Sequence, residues 1–123
     1  MTTAFIYNVT FDARDPQALG RFWARATGYE ITVDEPDFVR LRAPDKRGIR
    51  HILFFKVDDP TPGKNRTHVD LASKDPLATI AELVEAGATL VDDGPVSDPT
   101  WRPGGGTQWV VMQDPEGNEF CIG

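Results

Sequence analysis

The sequence predicts an α+β chain made of two tandem βαβββ units, and three observations predict it. The segment from Tyr7 to Pro16 is echoed sixty residues later, so that Asn8 answers to His68, Asp15 to Asp75 and Pro16 to Pro76. In both copies an alternating run leads into Asp-Pro, then a helix-patterned stretch, then a glycine, Gly28 or Gly87. After each glycine come further short apolar runs separated by turn residues. An echo at fixed period is the mark of a duplicated supersecondary unit. The 123 residues suffice for one core of ordinary size, whereas each half alone would be marginal. A single domain over 1–123 is therefore expected, with unit 1 over about 4–58, a linker over about 59–65 and unit 2 over about 66–123.

Over 4–12, Phe5, Tyr7, Val9 and Phe11 alternate with Ile6, Asn8, Thr10 and Asp12, the period of a strand with one apolar and one more polar face. Asp15 can cap the N–H groups of a following helix, and Pro16 is preorganised for its first position. Leu19, Phe22, Trp23 and Ala26 then recur at helical spacing until Gly28. Short strands are expected over 29–33 and 38–41, around Asp34-Glu35-Pro36-Asp37, and a fourth over 49–57. Pro60, Pro62 and Gly63 mark the linker. The second half repeats the order. A strand over 66–72 precedes a helix over 76–86, whose apolar stripe is Leu77, Ile80, Ala81 and Val84. A strand over 88–91, a Pro- and Gly-rich loop, a strand over 109–112, a tight turn at 114–118 and a last strand over 119–122 follow. Gly104-Gly105-Gly106 lacks the Lys-Ser or Lys-Thr that follows a phosphate loop.

Composition narrows the partners. Thirteen basic residues against nineteen acidic give a net charge of −6, and the basic residues are scattered apart from Lys64 and Arg66. Neither nucleic acid nor an anionic membrane is an expected partner, since phosphate contacts need clustered Lys and Arg. No apolar run is long enough to cross a bilayer, and the first residues lack the pattern of a secretory leader. The single Cys121 excludes an internal disulfide and suits a reducing compartment. A cytoplasmic location is expected.

Two βαβββ units with Asp-Pro helix openings, Phe22-Trp23 inside the first helix, Gly28-Tyr29 and Gly87-Ala88 after the helices, and the closing run Asp114-Pro115-Glu116-Gly117-Asn118-Glu119-Phe120 together resemble the glyoxalase/bleomycin-resistance/extradiol-dioxygenase group, the vicinal oxygen chelate superfamily. The run Lys64-Asn65-Arg66-Thr67-His68-Val69-Asp70-Leu71 is similar to its glyoxalase-like subgroup. The resemblance covers essentially the whole chain. It implies a partly open, barrel-like curved sheet with the helices on its convex face and a ligand in the cup. Val9, Phe11, Val69, Leu71, Phe120 and Ile122 would then face the helices. Asn8, Thr10, Asp12, His68, Asp70, Glu119 and Cys121 would face the cup, because side chains two apart on a strand point the same way.

Metal-dependent relatives hold a divalent ion with residues from the first and last strands of each unit. Carried over, the first-strand positions are Asn8 and His68. The last-strand position of unit 2 is Cys121, seven residues beyond Asp114, where relatives carry Glu. No Asp or Glu occurs over 49–57. Asn8, His68 and Cys121 are a poor set for Mg, Mn or Fe and an incomplete one for Zn, which His51 would help to complete. The expectation is a degenerate metal site and no cofactor; should a divalent ion bind, its ligands would be His68, Glu119, Cys121 and His51.

Two functions follow from the resemblance. The first is a binding protein, like the antibiotic-resistance members, holding a small planar or cationic molecule with Asn8, Asp12, Asp70, Trp109 and Cys121. The second is a metal-dependent lyase or isomerase using His68 and Glu119. Each residue also has a plainer reading: His68 as a hydrogen-bonded structural imidazole, Glu119 as a solvated strand-end charge, Cys121 as a small buried side chain. Asp12 and Asp70 would give an acidic cup suited to an amine, unless Arg14, Arg66 or Lys74 pairs with them. Trp101, Trp109 and Phe55 could be stacking walls. A homodimer is expected.

Overall fold

The computed structural model describes residues 6–45, 48–60, 69–91 and 110–123. The chain divides into two compact units, Met1–Pro60 and Thr61–Gly123. Unit 1 runs β1 (Asn8–Ala13), α1 (Pro16–Thr27), β2 (Glu30–Glu35), β3 (Phe38–Arg42) and β4 (His51–Lys56). Unit 2 runs β5 (Val69–Leu71), α2 (Pro76–Glu85), β6 (Thr89–Leu90), β7 (Val110–Gln113) and β8 (Glu119–Ile122). The predicted α+β class and the βαβββ order of each unit are both present. β4 and β6 are shorter than the alternation suggested and β2 and β3 longer, so that Asp34 and Glu35 belong to β2 rather than to the turn; the expected beginnings at 4 and 66 lie outside the described residues.

Both sheets have the same topology. Strand order is β1-β4-β3-β2 in one and β5-β8-β7-β6 in the other. In each the first and last strands pair parallel and the remaining neighbours antiparallel.

The helices begin and end as the residues dictate. The Asp15 carboxylate accepts from the Ala18 N–H at 3.1 Å and that of Asp75 from the Ala78 N–H at 3.2 Å, each satisfying a helix-end donor that has no partner within the helix. Pro16 and Pro76 follow at the first helical positions. Gly28 stops α1 in the left-handed region at φ 75°. Gly87, at φ 117°, closes α2 with a paired set of bonds: the Ala88 N–H donates to Leu83 O at 2.9 Å and the Gly87 N–H to Val84 O at 3.1 Å.

The core of unit 1 lies between α1 and one face of its sheet. Leu19, Phe22 and Trp23 on the helix, and Ala13, Val39, Leu41, Ile52 and Phe54 on the strands, are buried. Phe11 bridges the layers, with ring centroids 5.4 Å from Trp23 and 5.2 Å from Phe54. Each large side chain removed from water there is worth roughly 1.5–3 kcal/mol. α1 comes close because Gly20 presents no side chain: a Cβ there would stand 2.6 Å from Val39 Cγ1. The Tyr29 hydroxyl donates to Ile49 O at 2.7 Å, tying the segment after α1 to the approach to β4. Partial burial, then the charge of Asp45, raises the pKa of that phenol.

In unit 2, Ile80, Leu83, Val110, Met112, Phe120 and Ile122 are buried. The turn between β7 and β8 is built on Asp114, a carboxylate only 2% exposed. Its side chain accepts from the backbone N–H groups of Glu116 at 2.9 Å and Asn118 at 3.0 Å, and from the Asn118 amide at 2.8 and 3.1 Å.

Gly20→Ala should destabilise the protein by about 1–3 kcal/mol, because the β-branched Val39 has little rotamer freedom with which to yield. Chemical denaturation measures this, and the Gly20→Ala/Val39→Ala pair should cost less than the sum of the two single changes. Asp114→Ala, which strands three half-buried donor groups, should cost about 1–3 kcal/mol in the same assay, while Asp114→Asn should recover part of the loss.

Candidate functional site

Packing α1 against one face of the unit 1 sheet determines what the opposite face displays. Val39, Leu41, Ile52 and Phe54 point toward the helix, so the residues between them point away. The register arranges these outward residues in rows. Asn8, His51 and Arg42 share one row, Thr10, Leu53 and Arg40 the next, and Asp12, Phe55 and Phe38 the third.

The first row is joined chemically. His51 Nδ1 lies 3.0 Å from Asn8 Oδ1. An amide oxygen only accepts, so the ring proton sits on Nδ1 and leaves Nε2 as the basic nitrogen. The Tyr7 ring meets the imidazole edge-on at 5.3 Å, and Tyr7 O accepts from the backbone N–H groups of Arg50 at 3.0 Å and His51 at 3.3 Å, fixing this register. Partial loss of hydration, and then the positive charges of Arg40, Arg50 and Arg42, lower the His51 pKa below its ordinary value. Both effects favour the neutral ring.

The second row owes its order to a bulge. Pairing of β2 with β3 shifts register between Ile31 and Val33, and the residue between them, Thr32, meets Arg40. Arg40 Nε donates to Thr32 Oγ1 at 2.9 Å, and that hydroxyl in turn donates to Arg40 O at 3.3 Å. In the third row Phe38 and Phe55 lie against each other with centroids 4.8 Å apart and planes tilted by 38°, and Phe55 remains 44% exposed.

Of the residues singled out in the sequence, Asn8 and Asp12 thus stand exposed on one face of β1, and His51 joins Asn8. Asp12 shares that face with Arg40 and Arg42, which offset the acidic charge expected there. In unit 2, Asp70 is exposed on β5 directly opposite Cys121 on β8. Cys121 is a buried thiol, 8% exposed. Glu119 is half-buried at the start of β8, opposite Gln113. His68, Trp101 and Trp109 lie outside the described residues.

Register also relates the two units position by position. Val9 pairs with Ile52, and Val69, its counterpart sixty residues on, pairs with Phe120. Glu119 therefore holds in β8 the place that His51 holds in β4, and Cys121 the place of Leu53. Sequence reasoning overlooked Arg40 and Arg42. The signal was present in the alternation of Phe38, Arg40 and Arg42 with the buried Val39 and Leu41.

A divalent ion does not fit the described part of the site. Among the described residues no three His, Cys, Asp or Glu side chains come together to hold one. His51 can offer only Nε2, since Nδ1 is engaged by Asn8, and a single imidazole nitrogen does not make a divalent site. The guanidinium charges that disfavour a proton on this ring disfavour a doubly charged ion more strongly.

A family model described as glyoxalase-like domain matches residues 8–123. No curated protein matches the chain by sequence. Among solved structures, a glyoxalase/bleomycin resistance protein/dioxygenase family enzyme from Burkholderia phytofirmans PsJN is 24% identical, with a TM-score of 0.66 and 97% of both chains covered. A glyoxalase-related enzyme from Fulvimarina pelagi, 15% identical, gives a TM-score of 0.69 over 98% of this chain and 87% of its own. The bleomycin-binding protein of bleomycin-producing Streptomyces verticillus, complexed with copper(II)-bleomycin, is 19% identical with a TM-score of 0.58 over 99% and 97%. At these identities the likeness is one of fold.

An NMR titration should find His51 protonating below the ordinary midpoint of about 6.5, and Arg42→Gln should move the midpoint upward. A depressed folded-state pKa contributes stability that is complete above the unfolded value and is lost as pH falls through the folded one. Acidification across that window should lower the melting temperature of the wild type more than that of His51→Gln.

Proposed function

Because the chain belongs to the glyoxalase-like domain family of the vicinal oxygen chelate superfamily, we propose that it is a small-molecule binding protein whose metal site is degenerate, its ligand held on the polar face of a curved sheet. The observation that carries this reading is the outward face of unit 1. It displays a hydrogen-bonded Asn8–His51 pair, two arginines and a half-exposed aromatic pair, donors and stacking surface of the kind that orients a small ligand. Its chemistry at the same time opposes a divalent ion. The bleomycin-binding neighbour, of like fold, supports a binding role. For unit 2 we propose a set of its own: His68, the counterpart of Asn8, with Asp70, Glu119, Cys121 and Trp109.

One observation favours a second reading, a metal-dependent lyase or isomerase using His68 and Glu119. Glu119 occupies the strand position equivalent to His51, so a carboxylate stands beside the first strand of unit 2, two residues before Cys121. Under either reading a homodimer in a reducing cytoplasm is proposed, consistent with a lone, buried thiol. No helix among the described residues is long and apolar enough to cross a membrane.

Metal analysis followed by calorimetric titration with Ni, Mn, Zn and Fe separates the two. The expected result is no stoichiometric uptake, together with thermal stabilisation by members of a compound library; saturation at a hundredfold excess over Kd adds about 2.7 kcal/mol. Stoichiometric uptake that disappears in His68→Ala would replace the binding reading with the catalytic one.

A further inference from the structure

We infer that the outward face of unit 1 takes a planar aromatic ligand carrying a carboxylate, with its ring on Phe38 and Phe55 and its anionic group against Arg40 and Arg42. This rests on the binding reading above and goes beyond it by naming the class of ligand.

The dimensions suit one small molecule. Three strands side by side and three rows along them span roughly 10 by 13 Å, from a strand spacing of about 4.8 Å and a two-residue step of about 6.7 Å. Phe38 and Phe55 are paired across β3 and β4, and their tilt of 38° leaves ring surface for a third aromatic group. One row along, Arg40 is held through Nε by Thr32 Oγ1 at 2.9 Å, so the guanidinium is already oriented and its terminal nitrogens are the donors left for an anion. Arg42 stands in the following row beside His51. A carboxylate attached to a ring on the phenylalanines falls about one row away, within reach of Arg40.

Charge distinguishes this ligand from an amine. The sequence places Asp12 on the same face, but in the phenylalanine row, opposite Phe55. The acids of β2, Glu30 and Glu35, stand opposite Arg42 and Phe38 at the sheet's far edge. The guanidinium end is therefore the place for a negative group. His51 and Asn8, joined at 3.0 Å, close that end with hydrogen-bonding groups. A charge-assisted, two-pronged contact to a carboxylate is the interaction that a guanidinium fork makes best.

The test uses three probes of one shape: 2-naphthoate, the neutral 2-naphthamide and the cationic 2-naphthylmethylamine. Binding to the full chain is followed by amide and side-chain NMR shifts. The expected result is saturable binding of 2-naphthoate, with the largest shifts at Phe38, Arg40 and Phe55, and affinity for 2-naphthamide lower by about tenfold or more. Arg40→Gln should lose a similar factor for 2-naphthoate while leaving 2-naphthamide unchanged. Phe55→Ala should weaken all three probes, and unchanged amide spectra elsewhere verify that each variant is folded. Preference for the amine, equal binding of acid and amide, or shifts confined to other residues would overturn the carboxylate assignment while leaving a small-molecule binder standing. If no probe binds and no member of the compound library stabilises the protein, both fail together.

Discussion

Burial of Leu19, Phe22 and Trp23 against Val39, Leu41 and Phe54 is the constraint from which the rest of unit 1 follows. A pleated strand alternates with a period of two, so once one set of side chains is committed to the helix the intervening set has no choice of direction. Slipping β4 by one residue would send His51 and Phe55 into the core and expel Phe54. The polar face is thus held by the apolar one, and Gly20 permits the close approach that makes the apolar one tight.

The duplication keeps the frame and changes the chemistry. Asp-Pro caps, glycine stops, strand order and the parallel pairing of first and last strands recur in both units. The residues placed on that frame diverge: His51 in one unit corresponds to Glu119 in the other, and Leu53 to Cys121. A duplicated scaffold lets one half acquire cationic character around an imidazole while the other carries Asp70 and Glu119, because neither change disturbs the buried set beneath it.

The local signals were legible in the sequence because their physics is local. Caps, the stripe of α1, the turn at Asp114 and the inward and outward sets of β1 all depend on neighbours a few residues apart; the stripe expected for α2 was misjudged, since Ile80 and Leu83 are buried while Leu77, Ala81 and Val84 stand exposed. The contact of His51 with Asn8 spans 43 residues and follows from strand register, which alternation alone does not specify. The grouping of Arg40 and Arg42 around that ring was hidden for the same reason. An acidic face was anticipated from Asp12 and Asp70, yet in unit 1 the adjacent strands bring guanidinium groups onto it. Carrying family positions across placed Cys121 in a ligand role, whereas pairing puts it opposite Asp70 and makes Glu119 the counterpart of His51.

The bulge at Thr32 reaches further than its grip on Arg40. Among the described residues β2 is the last strand of its sheet, with a neighbour on one side, and Ile31 on it is 41% exposed. A straight apolar margin of this kind invites another chain to zip onto it and start a fibril. The kink interrupts the row of backbone groups such a chain would need, and Glu30, Asp34 and Glu35 surround it with repelling charge. The same irregularity that holds an arginine in position thus also guards the protein against self-templated growth when it is concentrated.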